Sequence, residues 1–254
     1  APTGGAFQMG PDVYRTITRY KMGLPTDSDL GDFCRCGHAL TPHAGHLATC
    51  TKGTPSGHTF ATHVHDQVTI YFHRLFKRYG YRARLERSVR QASRHRYDLS
   101  IRVPGFRGQR EVHFDVSITN PTAPSYVSAS STSTGIAARR RFQSKKRHYE
   151  NLGTNVIPIV LESYGFMHKE ISKIIHSITD ATSTNVNRDL LNRSHLNVNQ
   201  LFAYEMRRFG FFFANLMGIH LRKLAGSISS LFDIAVYEDD LETSFLDMDI
   251  QFSS

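Results

Sequence analysis

From His65 to Tyr79 the apolar residues Val68, Phe72, Leu75, Phe76 and Tyr79 recur at helical spacing, and Gly80 follows as a stop, so the pattern predicts an amphipathic helix. The period then changes from 3.6 to 2. Tyr81 to Leu85 alternates as a strand, Tyr97 to Val103 does so again with Leu99, Ile101 and Val103 on one face, and Val112, Phe114, Val116 and Ile118 alternate after the turn-forming run Pro104-Gly105-Phe106-Arg107-Gly108. The three strands read as a meander. A Ser/Thr/Ala-rich stretch from Pro121 to Thr134 has the composition of a flexible or disordered loop. Gly135 to Leu152 reads as a helix that ends before Gly153, Val156 to Leu161 as a short buried strand, and His168 to Ile178 as an amphipathic helix. Leu196 to Ser230 reads as helical as well. The Phe209-Gly210-Phe211-Phe212-Phe213 stripe is core or partner interface by default.

The alternation also places acidic residues. If Leu99, Ile101 and Val103 face the core, Asp98 faces the other way, and His113, Asp115 and Ser117 share the face opposite Val112 to Ile118. Should the two strands pair, both aspartates come to one face of adjacent strands. Carboxylates held close repel unless a cation lies between them, which is the arrangement that recruits Mg²⁺ or Mn²⁺ for phosphodiester hydrolysis. The plainer alternative is that each is solvated or paired with an arginine.

Three cysteines, Cys34, Cys36 and Cys50, fall within seventeen residues, with His46 four residues before the last. Cys-x-Cys followed by His-x-x-x-Cys supplies the four soft or borderline donors of a tetrahedral zinc site, and Gly37 frees the backbone to turn back. His43 and His38 are rivals for the fourth position. The segment is poor in large apolar groups, so a metal there is expected to be structural. Cysteines committed to a metal fit a reducing, intracellular setting.

Composition changes the picture mainly through charge. At 254 residues and 40% hydrophobic content the chain can bury one sizeable core with small appendages. No apolar run approaches the length of a membrane span, residues 1–9 lack a signal-peptide pattern, and the absence of an initiator Met predicts a fragment or processed product. A net charge of +9 and a pI near 9.6 point to a polyanionic partner. The charge is concentrated: from Arg74 to Arg147 there are eighteen Lys or Arg against four acids, Glu86, Asp98, Glu111 and Asp115, whereas the last eighteen residues hold six acids and no base. The predicted helix after Gly135 alone carries Arg139, Arg140, Arg141, Lys145, Lys146 and Arg147.

Read in order, Cys34-Arg35-Cys36-Gly37, Gly45-His46 and Cys50, then His65-Asp66 with Val68, Arg96-x-Asp98, Asp115-Val116-Ser117 with Asn120-Pro121, Lys145 with Tyr149, and Pro158-Ile159-Val160 with Gly165 resemble the C-terminal end of site-specific non-LTR retrotransposon proteins. In that family a zinc knuckle precedes a restriction-like endonuclease domain. The likeness covers Asp32 to Ile178 and resides in the order of six weak motifs rather than in any one.

The resemblance implies an α/β fold with a PD-(D/E)xK restriction-like nuclease core, a mixed sheet flanked by helices, over 60–180. It further implies a zinc knuckle at 32–53 after an N-terminal extension (1–31), and a helical extension with an acidic tail (181–254). Asp98 and Asp115 match the two metal-binding acids. Lys145 matches a lysine carried on the following helix, with Lys146 as the alternative, and His65-Asp66 matches an element at the start of the first helix. Val64 stands where the family has Lys or Arg, Tyr97 where it has Pro, and Ser117 where a simple restriction-type nuclease carries its lysine. Asp66, Glu86 and Glu162 are candidates for a third metal ligand; Asp66 has the alternative of capping its helix, and His65 that of packing there. Arg139, Arg140, Arg141 and Arg147, with Arg94 and Arg96 near Asp98, are the candidate phosphate contacts.

The implied activity is metal-dependent nicking of DNA in the nucleus, supplying a 3′-hydroxyl for reverse transcription. DNA, element RNA and a polymerase domain or chain would be the partners, structural zinc and catalytic Mg²⁺ or Mn²⁺ the cofactors. A catalytically idle nucleic-acid-binding module of the same fold, and a resolvase-like nuclease for branched DNA, are the alternatives.

Overall fold

The Thr59 hydroxyl accepts the Thr62 N–H at 3.2 Å and so opens a helix, α2 (Phe60–Arg78), in the computed structural model of the chain. The structure describes residues 9–25, 31–34, 36–40, 44–50, 52, 59–85, 97–102, 111–181 and 197–225. Contacts divide the chain into two units, Thr59–Asn187 and a second formed by Ala1–His58 with Arg188–Ser254. The predicted order of helix, three strands, helix, strand and helix is found in the first of these.

Helix α2 begins five residues earlier than its apolar periodicity predicts, because the fully buried Phe60 and Val64 carry the same stripe upstream. His65 and Asp66 therefore sit in its second turn, and Asp66 is not the cap. After Gly80 at φ 77° the chain enters β1 (Arg82–Leu85), β2 (Leu99–Arg102) and β3 (Glu111–Thr119), an antiparallel meander. Leu99 pairs with Phe114 and Ile101 with Val112, so their apolar side chains share one face, and Phe76 of α2 lies over Phe114 at 5.0 Å between ring centroids. Val103 and the predicted 104–108 turn lie outside the described residues.

The Ser/Thr-rich stretch after Pro121 is ordered, which overturns the expectation of a flexible loop. It folds as tight turns around the one-turn helix α3 (Val127–Ser130), and its hydroxyls do the work its sparse apolar content cannot. Ser131 Oγ donates to the Ser128 carbonyl at 2.7 Å, Thr132 Oγ1 donates to that of Ala129 at 3.1 Å, and Asn120 Oδ1 accepts from both the N–H and the hydroxyl of Thr122.

Gly135, at φ 75°, starts α4 (Ile136–Asn151). A Cβ there would lie 2.2 Å from the Phe166 ring, so glycine is required for conformation and for space alike. β4 (Val156–Glu162) then runs parallel to β3 and completes a four-stranded mixed sheet in the order β1-β2-β3-β4. Burial from both sides explains its unbroken apolar run. Ala138 and Phe142 of α4 pack on Val160 with Phe166, on the face that carries Asp115 and Ser117. α5 (Lys169–Ala181) follows, burying Ile171, Ile174, Ile175 and Ile178.

In the second unit, Pro11 sets the first turn of α1 (Pro11–Lys21), an element that the sequence reading did not predict. Its partner is the long helix α6 (Val198–Leu224), whose start is fixed by a reciprocal capping box between Asn197 and Gln200. Gly218 lets the two approach closely: a Cβ there would stand 2.6 Å from Val13. Phe209 and Phe213 are buried, which makes them core. Among the described residues no helix is long and apolar enough to cross a membrane.

Candidate functional site

Two groups of chemistry-bearing residues are assembled, one in each unit. In the first, Phe33 and Ala39 bridge as antiparallel partners, the Gly37 N–H donates to the Cys34 carbonyl at 2.7 Å, and Gly37 at φ 86° makes the reversal. Cys34 and Cys36 thus leave a tight knuckle. A 3-10 turn at Ala44–Ala48 presents His46, and Cys50 follows two residues after its end. The ligand atoms of Cys34, Cys36, His46 and Cys50 all lie within 4.8 Å of one another. Cys34 Sγ and Cys50 Sγ are 3.4 Å apart, near the spacing of about 3.8 Å between thiolates around a tetrahedral zinc, and Cys36 Sγ and His46 Nε2 are 3.0 Å apart.

The donor set fits zinc on chemical grounds too. Burial pushes the Cys34 thiol up to about 12, so a thiolate there needs a cation beside it, while the His38 backbone N–H holds Cys36 below its ordinary value. Burial lowers His46, which keeps its imidazole neutral and free to donate a lone pair. His38 is outside the donor set. Its ring stacks on that of His46, with centroids 4.0 Å apart, and braces the ligand. His43 lies outside the described residues.

The second group is built on β3. Asp98 stands one residue before β2, where the ladder ends: its N–H donates to the Phe114 carbonyl at 2.9 Å and its Oδ2 accepts the Val116 N–H at 2.7 Å. The side chain thereby takes over a backbone bond that a longer strand would have made. Asp115, next to Val116, is 6% exposed and forms an ion pair with Lys145 of α4. One turn to either side of Lys145, Arg141 donates to Ser117 Oγ at 3.0 Å and Tyr149 hydrogen-bonds Asp115, so positions 141, 145 and 149 form a single helix face over β3. Burial raises Asp115 and Lys145 lowers it, while the charge of Asp98 raises it further. Burial, together with the Asp115 charge, raises Tyr149 and keeps its phenol protonated.

His65 joins the group from α2. Its Nε2 lies 3.1 Å from Asp98 Oδ2 and its Nδ1 2.9 Å from Asp66 Oδ1, and the bond to Asp98 raises its pKa to about 9 against the opposing effect of burial. The imidazolium stands between the two carboxylates, which separates Asp66 from Asp98.

Of the three candidates for a further ligand, Glu162 turns out to be a cap. Its Oε1 accepts the Ala138 N–H at 2.8 Å, which supplies from β4 the N-terminal acceptor that Gly135 lacks. Glu86 lies outside the described residues. Lys146 is half exposed and pairs with Glu150 at 3.6 Å, away from Asp115. Arg139, Arg140 and Arg147 are exposed, with Arg139 donating to Ser133 Oγ at 2.7 Å; Arg94 and Arg96 lie outside the described residues.

The sequence reading assigned Tyr149 no role. Its position eight residues after Arg141 and four after Lys145 was the available signal. No protein-family model matches the chain, and neither does any curated protein or solved structure.

Proposed function

We propose that this chain is a restriction-like, metal-dependent DNA endonuclease that nicks a target strand to leave a 3′-hydroxyl for reverse transcription. The observation that carries the reading is the convergence of Asp98, Asp115 and Lys145 from a strand end, a strand and the next helix, inside a strongly basic stretch. Asp98 and Asp115 are the residues that would hold Mg²⁺ or Mn²⁺. Such an ion supplies Lewis-acid activation of the phosphate and a water of lowered pKa.

The chain's own residues supply the rest. Lys145 places an ammonium against Asp115, where negative charge would build on the phosphorus oxygens as water attacks. The water oxygen bonds to phosphorus, the bond from phosphorus to O3′ breaks, and the water's proton balance is restored at O3′, giving a 5′-phosphate and a 3′-hydroxyl. Tyr149 and the Val116 N–H orient the two carboxylates, and exposed Arg139, Arg140 and Arg147 face the flanking phosphates. The Cys/His cluster would carry structural zinc. DNA is the substrate, with element RNA and a polymerase as further partners in a nuclear setting.

One observation favours the alternative of an idle binding module: His65 and Lys145 already neutralise Asp98 and Asp115. The two readings part on supercoiled plasmid. With Mg²⁺ or Mn²⁺ the chain should convert it to open circles, and neither Asp98→Asn nor Asp115→Asn should do so while each still binds DNA. Binding without nicking, on linear, supercoiled and branched substrates, would leave the binding module.

A further inference from the structure

We propose that Arg82, Arg84 and Arg102 form a phosphate-binding shelf for the DNA strand that runs past the acids. The inference rests on the nuclease reading for its ligand. Sheet register puts the three on the Asp115 face: Arg84 pairs with Ser100, which pairs with His113, and Arg82 pairs with Arg102, which pairs with Glu111. His113 and Glu111 alternate with Asp115 along β3. On this face α4 packs over β3 and β4, whereas the arginines of β1 and β2 are exposed. The acid site and the arginines are thus two parts of one sheet face.

The arrangement costs stability unless an anion is bound. Arg82 and Arg102 are direct cross-strand partners, and like charges placed opposite each other destabilise a pair of strands. Among the described residues that line this cleft, Arg82, Arg84, Ser100, Arg102 and Glu111, the one carboxylate is Glu111, 3.7 Å from Arg102, so the described lining carries a surplus of two positive charges. Charges on an edge strand such as β1 also discourage edge pairing, but that role needs neither one sign nor one face.

The spacing suits a nucleic-acid backbone. Two residues along β3 and two strands across place Arg84 about 12 Å from Asp115, on the order of the separation between phosphates two steps apart on a duplex strand. Arginine's planar fork suits phosphate oxygens at that reach.

The test is duplex binding by the full chain without Mg²⁺, measured by fluorescence anisotropy across a salt series. Arg82→Gln/Arg84→Gln/Arg102→Gln should reduce the slope of log affinity against log salt by about two to three units and weaken binding on the order of tenfold or more near 0.1 M salt. A control that removes three charges elsewhere, Arg15→Gln/Arg19→Gln/Lys223→Gln, should change the slope far less. The shelf variant should melt no lower than wild type at low salt, because repulsion has been removed. An unchanged slope, or a loss equal to the control's, overturns the shelf, and so does a slope that falls for single-stranded RNA but not for duplex DNA. A wild-type chain that never nicks, combined with a shelf-dependent slope, leaves the shelf standing and removes the nuclease reading.

Discussion

The Val116 N–H donates to the Asp98 carboxylate at 2.7 Å, which ties the residue before β2 to the residue after Asp115. Truncation at Asp98 therefore removes a backbone partner as well as a charge. Asp98→Ala should lower stability by about 1–3 kcal/mol in denaturant melts, whereas Asp98→Asn, which keeps an acceptor, should cost less and isolate the loss of charge. Equal melts for the two would show that the bond carries no weight.

Lys145 and Lys146 are neighbours in sequence with different surroundings. Lys145 is 19% exposed against a buried carboxylate; Lys146 is 54% exposed against Glu150. Lys145→Ala should cut the nicking rate on the order of 100-fold, as loss of a preorganised charge does. Lys146→Ala should change the rate and the stability little, within about 0.5 kcal/mol. Reversal of that order would displace Lys145 from the site.

The His65 imidazole should titrate near pH 9 by NMR. Asp98→Asn should return it well toward its ordinary value, and Asp66→Asn less so, since Asp98 is the larger cause. A folded pKa above the unfolded one means that the stabilisation is complete below about pH 6.5 and is lost as pH rises through about 9. Wild-type melts in the absence of added divalent cation should therefore weaken over that interval, and a His65→Gln variant should lack this component.

Elemental analysis should return about one zinc per chain, lost in Cys50→Ser. Chelation should melt the Cys34–Cys50 segment, since binding of structural zinc to such segments is worth on the order of 10 kcal/mol, and should leave the Thr59–Asn187 unit folded. Zinc-free protein with an unchanged melt would remove the metal assignment.

Gly135→Ala meets both a left-handed backbone and a ring at 2.2 Å. A loss of about 2–4 kcal/mol is expected in denaturant melts, from left-handed strain together with overpacking. Phe166→Leu, by opening space, should recover part of it.

Much of the α/β unit was legible because period is a strong signal: Leu99, Ile101, Val112 and Phe114 announced their strands, and the same rule carried Asp98 and Asp115 toward each other. The knuckle was legible because four donors in seventeen residues leave little else for them to do. Three features escaped for identifiable reasons. The start of α2 was missed because Thr59 caps through a side chain and Phe60 and Val64 were not counted in the stripe. The 121–134 stretch was misjudged because its order comes from hydroxyl-to-carbonyl bonds, which composition does not register. Glu162 reads as a candidate ligand because its partner, the Ala138 N–H, lies twenty-four residues upstream.

That last bond fixes the phase of a lever. Glu162 grips α4 at Ala138, and Lys145 reaches Asp115 seven residues, about 10 Å, further along the axis. Seven residues bring the helix round by almost two whole turns, so anchor and working residue emerge on nearly the same side. Adding or deleting one residue between them would swing the ammonium about 100° out of alignment, whereas exchanging the exposed side chains in between leaves its bearing untouched. Spacing within this stretch is accordingly under tighter constraint than identity, and indels there should be far less tolerated than substitutions.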